Sequence, residues 1–446
     1  MLTKEQSQKL AEKVLSFSTT PECSVTITSS EQAFTRFANN GITTSALVNR
    51  HAINVSATRD GRTGTTVVND FEDAAIKAAV KHAEELSAIA PPNPEHRAPL
   101  GPQQYPDLPP ADEVTAKARA AEMLPSIKSV IETAVKQKMT AAGLFERITT
   151  ETALANKKGL FGHSRTADAK LTTTLRLADG SSSGWAGQPS TRVAEIDGAE
   201  LARIASEKCL KWRNPKRLDP GKYTVVFEPT ATGDIVNLMM GGFNNAGFSA
   251  RNAEEGRSFL SKKGGGTKQG EKLFPDFISL RTDPFDPRLA SNPWTNELLP
   301  AKKFSWIEKG VIANLAIDRY WAEKTNREPT PSGGSLVMDG GDASVEDLIK
   351  EVERGLLVTH FWYIRFVNPQ TQQYTGLTRD GLFLIENGKI TDPVMNFRFN
   401  DGPLTLLQNA IKIGKASRMR GLEGATLVTP ALIAKDFNFT SISDAV

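Results

Sequence analysis

The 446-residue sequence has few of the residues that mark several common classes of protein. Its two cysteines, Cys23 and Cys209, lie far apart and suggest no disulfide framework, so we expect a reducing, cytoplasmic environment. Apolar runs stay well short of the roughly 20 residues that span a bilayer, and the charged amphipathic N-terminus lacks the apolar centre of a signal peptide. The 54 basic and 51 acidic residues leave a net charge of +3. This balance argues against nucleic acid as the main partner, because phosphate binding normally needs a concentrated basic face.

Motifs for metal binding and nucleophilic catalysis are also missing. The sequence has five histidines, and no two of them have the spacing of metal ligands on a helix. It contains neither a Cys-x-x-Cys pair nor a Gly-x-Ser-x-Gly elbow, and the glycines of 261–272 fit no phosphate-loop pattern. Asp283 and Asp286 could form a metal pair, but each precedes a proline, which favours Asx turns. The residues alone therefore indicate no self-sufficient catalytic constellation.

The pattern of helices and strands predicts an α+β protein with two domains. Residues 1–215 alternate helical stripes with β-type runs joined by Asp-Gly turns, which predicts an antiparallel sheet with helices. Residues 91–110 contain eight prolines in twenty positions and should form an extended surface strap. From about residue 216 short β-type runs dominate, so 216–446 is predicted to be a β-rich domain, either a sandwich or a partly closed barrel. No internal repeat is visible.

Helical periodicity predicts several helices in each half of the chain. In the N-terminal half we expect helices at 72–88, at 112–136 with a bend or break at Pro125, and at 195–213. In the C-terminal half the clearest helices are expected at 230–240, 344–356 and about 403–413.

The stretch "DIVNLMMGGFNN", residues 234–245, follows the strand-like "YTVVFEPTATG". Enzymes often place catalytic groups where a strand leads into a helix. The helix predicted here instead contains one Asn, two Met and two consecutive Gly. Among the histidines, His360 is the strongest candidate for a functional residue, because it adjoins the aromatic run "LLVTHFWYIRF". Even so, we favour a packed or hydrogen-bonded role for His360 over a functional one.

An ordered series of segments resembles the TldD/PmbA family, whose members were described as DNA gyrase modulators and act in peptide proteolysis. Each segment is weakly specific alone, but six of them in one order support the assignment. The segments are "VVFEPTATGDIVNLMMGGF", "DPFDPR", "FSWIEKGVIANLAIDRYWAEKTN", "GDASVEDLIKEVERGLLVTHFW", "GLTRDGLFLIENGKITDPV" and "LLQNAIKIG".

The resemblance implies how the turn at 234–245 should be interpreted. In the TldD kind of subunit this turn carries a His-Glu pair and a second His, which hold a catalytic zinc together with a distant cysteine. Here Asn237 and Leu238 stand where the pair would be, and Gly242 stands where the second His would be. No cysteine follows Cys209. Every metal-binding group is thus replaced, which matches the other kind of subunit, called PmbA or TldE.

By the same resemblance, the chain should carry no cofactor and should pair with a TldD-like subunit that supplies the zinc. The two would enclose a chamber that admits unfolded peptides, which pair as a strand with its wall. "RDGLFLIENGKI" would form a hairpin in that wall, with Asn387 and Gly388 serving its turn.

Two other hypotheses stay open. The first is a homodimeric peptidase that uses other residues, and the second is a non-proteolytic interaction protein, directed at gyrase or chaperone-like. The candidate substrate-contacting residues are His360, Tyr363, Arg365, Arg379 and Asp380.

Overall fold

The computed structural model describes residues 1–240, 246–331, 333–368, 370–420 and 426–443. Within these ranges every helix is too short or too polar to cross a lipid bilayer. The predicted α+β class is confirmed, with an antiparallel sheet in the N-terminal half and a larger mixed sheet in the C-terminal half. The domain boundary at residue 216 stays a prediction.

The N-terminal half forms a six-stranded sheet in the order β3-β2-β1-β4-β5-β6, with every neighbouring pair antiparallel. Helices cover one of its faces. The elements are α1 (Lys4–Phe17), β1 (Glu22–Ala38), β2 (Gly41–Arg59), β3 (Arg62–Val68), α2 (Asp73–Ile89), α3 (Glu113–Lys117), α4 (Ala120–Lys136), β4 (Met139–Asn156), β5 (Phe161–Leu177), β6 (Ser183–Ser190) and α5 (Gly198–Lys211).

The N-terminal half contains a structural repeat of two units, which the sequence pattern did not predict. A helix, three strands and a second helix run from α1 to α2, and the same order recurs from α4 to α5. The first strands of the two units, β1 and β4, pair at the centre of the sheet, so β3 and β6 become its two edges. Each unit closes its second hairpin with an Asp-Gly turn, at Gly61 and Gly180, where φ is +69° and +75°.

Two edge glycines let the second helix of each unit approach the sheet closely. A Cβ added to Gly64 on β3 would lie 2.1 Å from the Ala83 carbonyl oxygen of α2. A Cβ added to Gly184 on β6 would lie 2.2 Å from the Ala205 carbonyl oxygen of α5. Only glycine allows backbone contact this tight. The equivalent contact in both units is the clearest mark of the repeat.

The helix predicted at 112–136 does not break at Pro125, which lies inside α4, but earlier, at Ala118 and Arg119. A bend at Pro125, the other alternative, stays a prediction. The cause of the earlier break is the fully buried Arg147 of β4. Its guanidinium donates to the Ala118 carbonyl oxygen through Nε at 3.0 Å and through Nη2 at 2.6 Å. A buried guanidinium needs such acceptors, and Ala118 meets that need by adopting an extended conformation (φ −58°, ψ 141°).

The proline-rich segment 91–110 has no regular secondary structure, as predicted, and it fastens the two halves together. Arg251 donates to Glu95 at 2.9 Å, and Arg97 forms an ion pair with Glu323 at 2.7 Å. The hydroxyl of Tyr105 donates to the Leu298 carbonyl oxygen at 2.9 Å.

The C-terminal half is β-rich, as predicted, and in its described residues thirteen strands join one branched mixed sheet. The main path runs β10-β9-β8-β11-β19-β7-β12-β15-β16 and is open within the described residues, while β13, β14, β17 and β18 branch from β19. The elements are β7 (Gly221–Phe227), α6 (Pro229–Met239), α7 (Ala250–Glu254), β8 (Leu280–Thr282), β9 (Phe304–Glu308), β10 (Val311–Ile312), α8 (Arg319–Thr325), β11 (Leu336–Met338), α9 (Val345–Lys350), β12 (Arg354–Val358), β13 (Phe361–Asn368), β14 (Gln373–Thr378), β15 (Leu382–Glu386), β16 (Lys389–Pro393), β17 (Phe397–Asp401), α10 (Pro403–Gln408), β18 (Ala410–Arg420) and β19 (Thr426–Ile442).

Two of the predicted C-terminal helices are too long. The helix expected at 344–356 ends at Lys350, and β12 begins at Arg354. The helix expected at 403–413 ends at Gln408, and β18 begins at Ala410. In the first case the apolar residues 355–358 of β12 are buried between β7 and β15, so they fill a strand and not a helix face.

Candidate functional site

The turn at the start of α6 forms the first wall of a cavity. Strand β7 runs into α6 at Pro229, whose fixed φ suits the first position of a helix. Ile235, Val236 and Met239 point into the core of the C-terminal half. The opposite face presents Asn237 and Leu238 to a cavity of about 190 Å³.

The other wall of this α6 cavity is the strand β13. Residues 362–365 line the cavity together with Asp234, Asn237 and Leu238. Within the described residues β13 pairs with β14 alone, so its second edge has no neighbouring strand. Trp362, Tyr363, Phe366 and Val367 on β13 are each 43–60% exposed. The result is an aromatic, unpaired strand edge beside the cavity.

Tyr363 has a strained backbone at this edge. Its φ is +54°, and the register of β13 against β14 shifts between Trp362 and Arg365, as in a β-bulge. The left-handed conformation is unfavourable for a residue with a bulky side chain. It turns the Tyr363 ring outward, where the Arg365 guanidinium lies 4.1 Å from the ring centroid. Strain of this kind concentrates at functional sites.

A second and larger cavity of about 590 Å³ lies where the N-terminal sheet meets the C-terminal half. We call it the interdomain cavity. Thr174, Arg176 and Trp185 line it from the face of the sheet opposite the helices, and His360, Trp362, Arg379 and Asp380 line it from the other side. Because Trp362 lines both cavities, the two are neighbours across one side chain.

His360 and Asp380 form a buried corner of the interdomain cavity. The imidazole of His360 stacks on the indole of Trp185, and its Nδ1 lies 3.5 Å from Asp380 Oδ2. The Ser183 hydroxyl donates to Asp380 Oδ1 at 2.8 Å. Burial raises the pKa of Asp380, but the hydrogen bond and charge of His360, the Ser183 hydroxyl and the Arg379 charge outweigh it, so the net pKa is lowered. Asp380 is therefore held as a carboxylate.

The backbone around Asp380 is also constrained. Asp380 has a φ of +55° and Gly381 a φ of +133°. The Arg379 amide donates to the His360 carbonyl oxygen at 3.1 Å, and the Thr359 hydroxyl donates to the Gly381 carbonyl oxygen at 3.0 Å. These bonds fix the segment between β14 and β15 against the one between β12 and β13.

The structure divides the five candidate substrate-contacting residues between the two cavities. Tyr363 and Arg365 line the α6 cavity, whereas His360, Arg379 and Asp380 line the interdomain cavity. They do not form one constellation, and their contact with a substrate stays a prediction. Sequence reasoning missed Trp185 and Ser183, which complete the corner. Their only signal was the Asp-Gly turn before them, which predicts a hairpin and not a site.

The residues around the α6 cavity do not fit a zinc ion. Zinc takes imidazole, thiolate and carboxylate donors, and this cavity offers the carboxylate of Asp234 and the amide of Asn237. The guanidinium of Arg365 would oppose a cation. Across the part of the chain that the structure describes, no group of three or more His, Cys, Asp or Glu side chains is placed to hold a metal. Gly242 lies outside the described residues.

The remaining candidates have structural contacts. Asp283 and Asp286 make the predicted Asx bonds, accepting from the Phe285 amide at 3.3 Å and the Arg288 amide at 3.0 Å. The Asn-Gly hairpin is confirmed between β15 and β16, with φ of +48° at Asn387 and +73° at Gly388.

Comparison with known proteins adds to this geometry. Residues 220–441 match the model of the PmbA/TldA metallopeptidase C-terminal domain. No curated protein matches the chain. Among solved structures, TldE from Thermococcus kodakarensis superposes with a TM-score of 0.84 at 20% identity, over 97% of this chain and 99% of that one.

Two further structures share the fold, and both are described as candidate modulators of DNA gyrase. One is from Thermotoga maritima, with a TM-score of 0.82 at 19% identity over 97% of this chain and 100% of that one. The other is from Bacteroides thetaiotaomicron, with a TM-score of 0.85 at 22% identity over 99% of this chain and 100% of that one. At these identities the likeness concerns the fold, which extends over both halves of the chain.

Proposed function

The chain belongs to the TldD/PmbA family, and from that premise we propose that it is the non-catalytic subunit of a two-subunit metallopeptidase that cleaves unfolded peptides. It encloses the substrate chamber, and a TldD-like partner supplies the zinc. The single observation that supports this role most strongly is the donor set of the α6 cavity, where Asn237 and Leu238 face a space to which the described residues contribute one carboxylate. A leucine cannot act as a general base, and an amide side chain is a poor zinc ligand.

The edge of β13 supplies the substrate-binding part of the proposal. Extended peptides bind to exposed sheet edges through backbone hydrogen bonds, which accept many sequences, while side-chain pockets give preference. Here the second edge of β13, which pairs with no other described strand, is lined by Trp362, Tyr363 and Phe366, and these would cover side chains of a bound strand. A folded protein cannot present such a strand, so the geometry favours unfolded chains.

The homodimeric peptidase is less well supported, because its candidate residues lie in two cavities and His360 is packed between Trp185 and Asp380. A gyrase-directed or chaperone-like role predicts binding without cleavage. We treat both as alternative outcomes of the test below.

The test is co-expression with a TldD-like zinc subunit, followed by metal analysis and cleavage of a fluorogenic unstructured peptide. We expect one zinc per heterodimer and cleavage by the complex, with neither in the isolated chain. Stoichiometric zinc in the isolated chain, or cleavage by its homodimer that His360→Ala abolishes, would contradict the proposal. A complex that binds peptides and leaves them intact would favour the interaction protein.

A matched pair of variants tests the strand edge. Trp362→Ser should lower cleavage by the complex roughly tenfold, because an aromatic anchor at the centre of a contact surface dominates its affinity. Val67→Ser is the control, since Val67 is 62% exposed on the edge strand β3, far from both cavities. Equal cleavage by the two variants would remove β13 from the proposal.

A further inference from the structure

We infer that the α6 cavity is a side-chain subsite, which takes one phenylalanine-sized apolar side chain of a peptide bound along β13. This inference rests on the proposed function, because it takes the ligand to be a peptide. It adds which class of residue the chain prefers at one position of that peptide. Leu238 then has a role of its own, since it sets how large the bound side chain can be.

The volume of the α6 cavity fits one large side chain. It is about 190 Å³, and an apolar protein cavity of about 150 Å³ accommodates a benzene molecule. Sites for whole small ligands usually have about 300–1,000 Å³, so the α6 cavity is too small for two adjacent residues of a peptide. It therefore suits a single side chain that enters from a strand lying outside.

A bulge in β13 brings the α6 cavity to the edge of the sheet. Between Trp362 and Arg365 the register against β14 shifts, so Tyr363 and Ile364 lie opposite a single residue. Bulges re-aim side chains, and here Ile364 is 8% exposed while Tyr363 is 60% exposed. Residues 362–365 all line the cavity. A peptide strand paired with this edge would pass beside the cavity, and every second side chain of the peptide would lie on the cavity side.

The charges of the lining favour an uncharged side chain. Asp234 contributes a carboxylate and Arg365 a guanidinium, so the described lining residues have no net charge. Asp234 is buried, and Arg365 donates to the Ile364 carbonyl oxygen at 2.8 Å and lies over the Tyr363 ring. A charged side chain would lose its hydration in this cavity and would meet charges of both signs. An apolar side chain gains free energy by leaving water.

Leu238 is held in place as the apolar wall of the cavity. Its backbone carbonyl oxygen accepts a hydrogen bond from the Tyr374 hydroxyl at 3.1 Å, and its side chain packs against the core of the C-terminal half. Tyr374 is itself buried on β14, which also pairs with β13. One strand therefore fixes both walls of the cavity. Fixed walls select side chains by size, because overpacking of such a space is unfavourable.

The experiment uses the full-length isolated chain and the peptide Gly-Ser-Thr-X-Thr-Ser-Gly with blocked termini, in which X is Phe, Trp, Ala, Glu or Lys. Isothermal titration should show the Phe peptide binding about 10- to 100-fold more tightly than the Ala peptide, since a buried phenylalanine ring leaves water. The Glu and Lys peptides should bind no more tightly than the Ala peptide. These three comparisons test the preference for an apolar side chain.

Two variants of opposite effect test the size limit. Leu238→Ala enlarges the cavity and should move the tightest binding from the Phe peptide to the Trp peptide. Leu238→Trp fills the cavity and should remove the preference for Phe over Ala. Leu404→Ala is the matched control, because Leu404 also packs partly buried against the same core and lines neither cavity. It should keep the tightest binding at Phe. Thermal unfolding checks that each variant folds, and either Leu238 variant alone decides the test.

Equal binding of the Phe and Ala peptides, tightest binding of the Glu or Lys peptide, or an absence of binding would overturn the inference. So would a Leu238 variant that folds and keeps the wild-type order of peptides, since Leu238 would then have a structural role alone. The readout needs neither partner nor hydrolysis. A preference for Phe without cleavage by the complex would contradict the proposed function alone, and cleavage by the complex without that preference would contradict this inference alone.

Discussion

The imidazole of His360 lies flat against the indole of Trp185, with ring planes 6° apart and ring centroids separated by 4.7 Å. One ring comes from the N-terminal sheet and the other from the C-terminal half, and Asp380 approaches the imidazole from the side. This stack joins the halves at the interdomain cavity. Disturbing it should therefore lower the stability of the fold.

The carboxylate of Asp380 should stabilise the folded chain in a pH-dependent manner. Burial opposes its charge, but His360, Ser183 and Arg379 lower its pKa below the ordinary value for aspartate. A lowered folded-state pKa stabilises the protein above the unfolded-state pKa, and this contribution is lost as the pH falls through the folded-state pKa. Asp380→Asn should lower the free energy of unfolding by about 1.5–3 kcal/mol at pH 7. Below about pH 4 the difference from wild type should shrink.

Urea unfolding from pH 7 to pH 3 measures this effect. Asp276→Asn is the control, because Asp276 is 75% exposed in its pair with Lys272 and should change stability little. A stability difference for Asp380→Asn that stays constant over the whole pH range would contradict the assignment.

The edge glycines of the N-terminal sheet should tolerate no side chain. Gly64→Ala and Gly184→Ala would each drive a methyl group into the backbone of a packed helix, so each should cost about 1–3 kcal/mol. Gly334→Ala is the matched control, since nothing lies within 4 Å of its added Cβ and its φ is not in the left-handed region. Thermal unfolding would compare the three. A loss at only one of the two edges would mean that the units do not pack alike.

Replacement of Tyr363 by glycine should lower peptide cleavage without changing the stability of the fold. Glycine adopts the φ of +54° without strain, a gain of about 1–2 kcal/mol. This gain is offset by the cost of about 0.5–1 kcal/mol for glycine in a strand and by the loss of the contact between the Tyr363 ring and the Arg365 guanidinium, about 0.5–1 kcal/mol. Tyr363→Gly should therefore leave the melting temperature almost unchanged while it lowers peptide cleavage by the complex. If Tyr363→Ala and Tyr363→Gly lower the melting temperature equally, the backbone at this position is not strained.

Removal of metal should affect the complex and spare the isolated chain. A chelator should abolish cleavage by the heterodimer, because the zinc belongs to the partner. It should leave the melting temperature of the isolated chain unaltered, since a metal that binds the folded state raises stability by mass action and none is expected here. A fall in the melting temperature of the isolated chain on chelation would identify a metal site in this subunit.

Much of the fold could be predicted from local patterns. The Asp-Gly turns and alternating strands specified the antiparallel N-terminal sheet, and the Asn-Gly turn specified the β15–β16 hairpin, because both signals act over a few residues. The wrong predictions concern segments whose structure depends on residues far away in the sequence. The break at Ala118 depends on Arg147, and β12 depends on its burial between β7 and β15. No periodicity within 112–136 or 344–356 contains that information.

The site could be predicted only in part for the same reason. Asn237 and Leu238 were found through the order of segments, and they line a cavity. His360 and Asp380 were expected to act with Tyr363 and Arg365, and the sequence gives no distance between them. Trp185 was missed because it is far from His360 along the chain and meets it only when the halves pack.

The position of β19 has a consequence for synthesis on the ribosome. This strand pairs with β7, β11, β17 and β18, all of which precede it in sequence, and Leu432 pairs with Phe227. At roughly 5–20 residues per second, β7 emerges some tens of seconds before the strand that protects its edge. An apolar edge exposed for that long invites wrong pairing with a neighbouring nascent chain. Because the sheet is completed only when β19 has been synthesised, the nascent chain should itself bind chaperones that protect unfolded proteins.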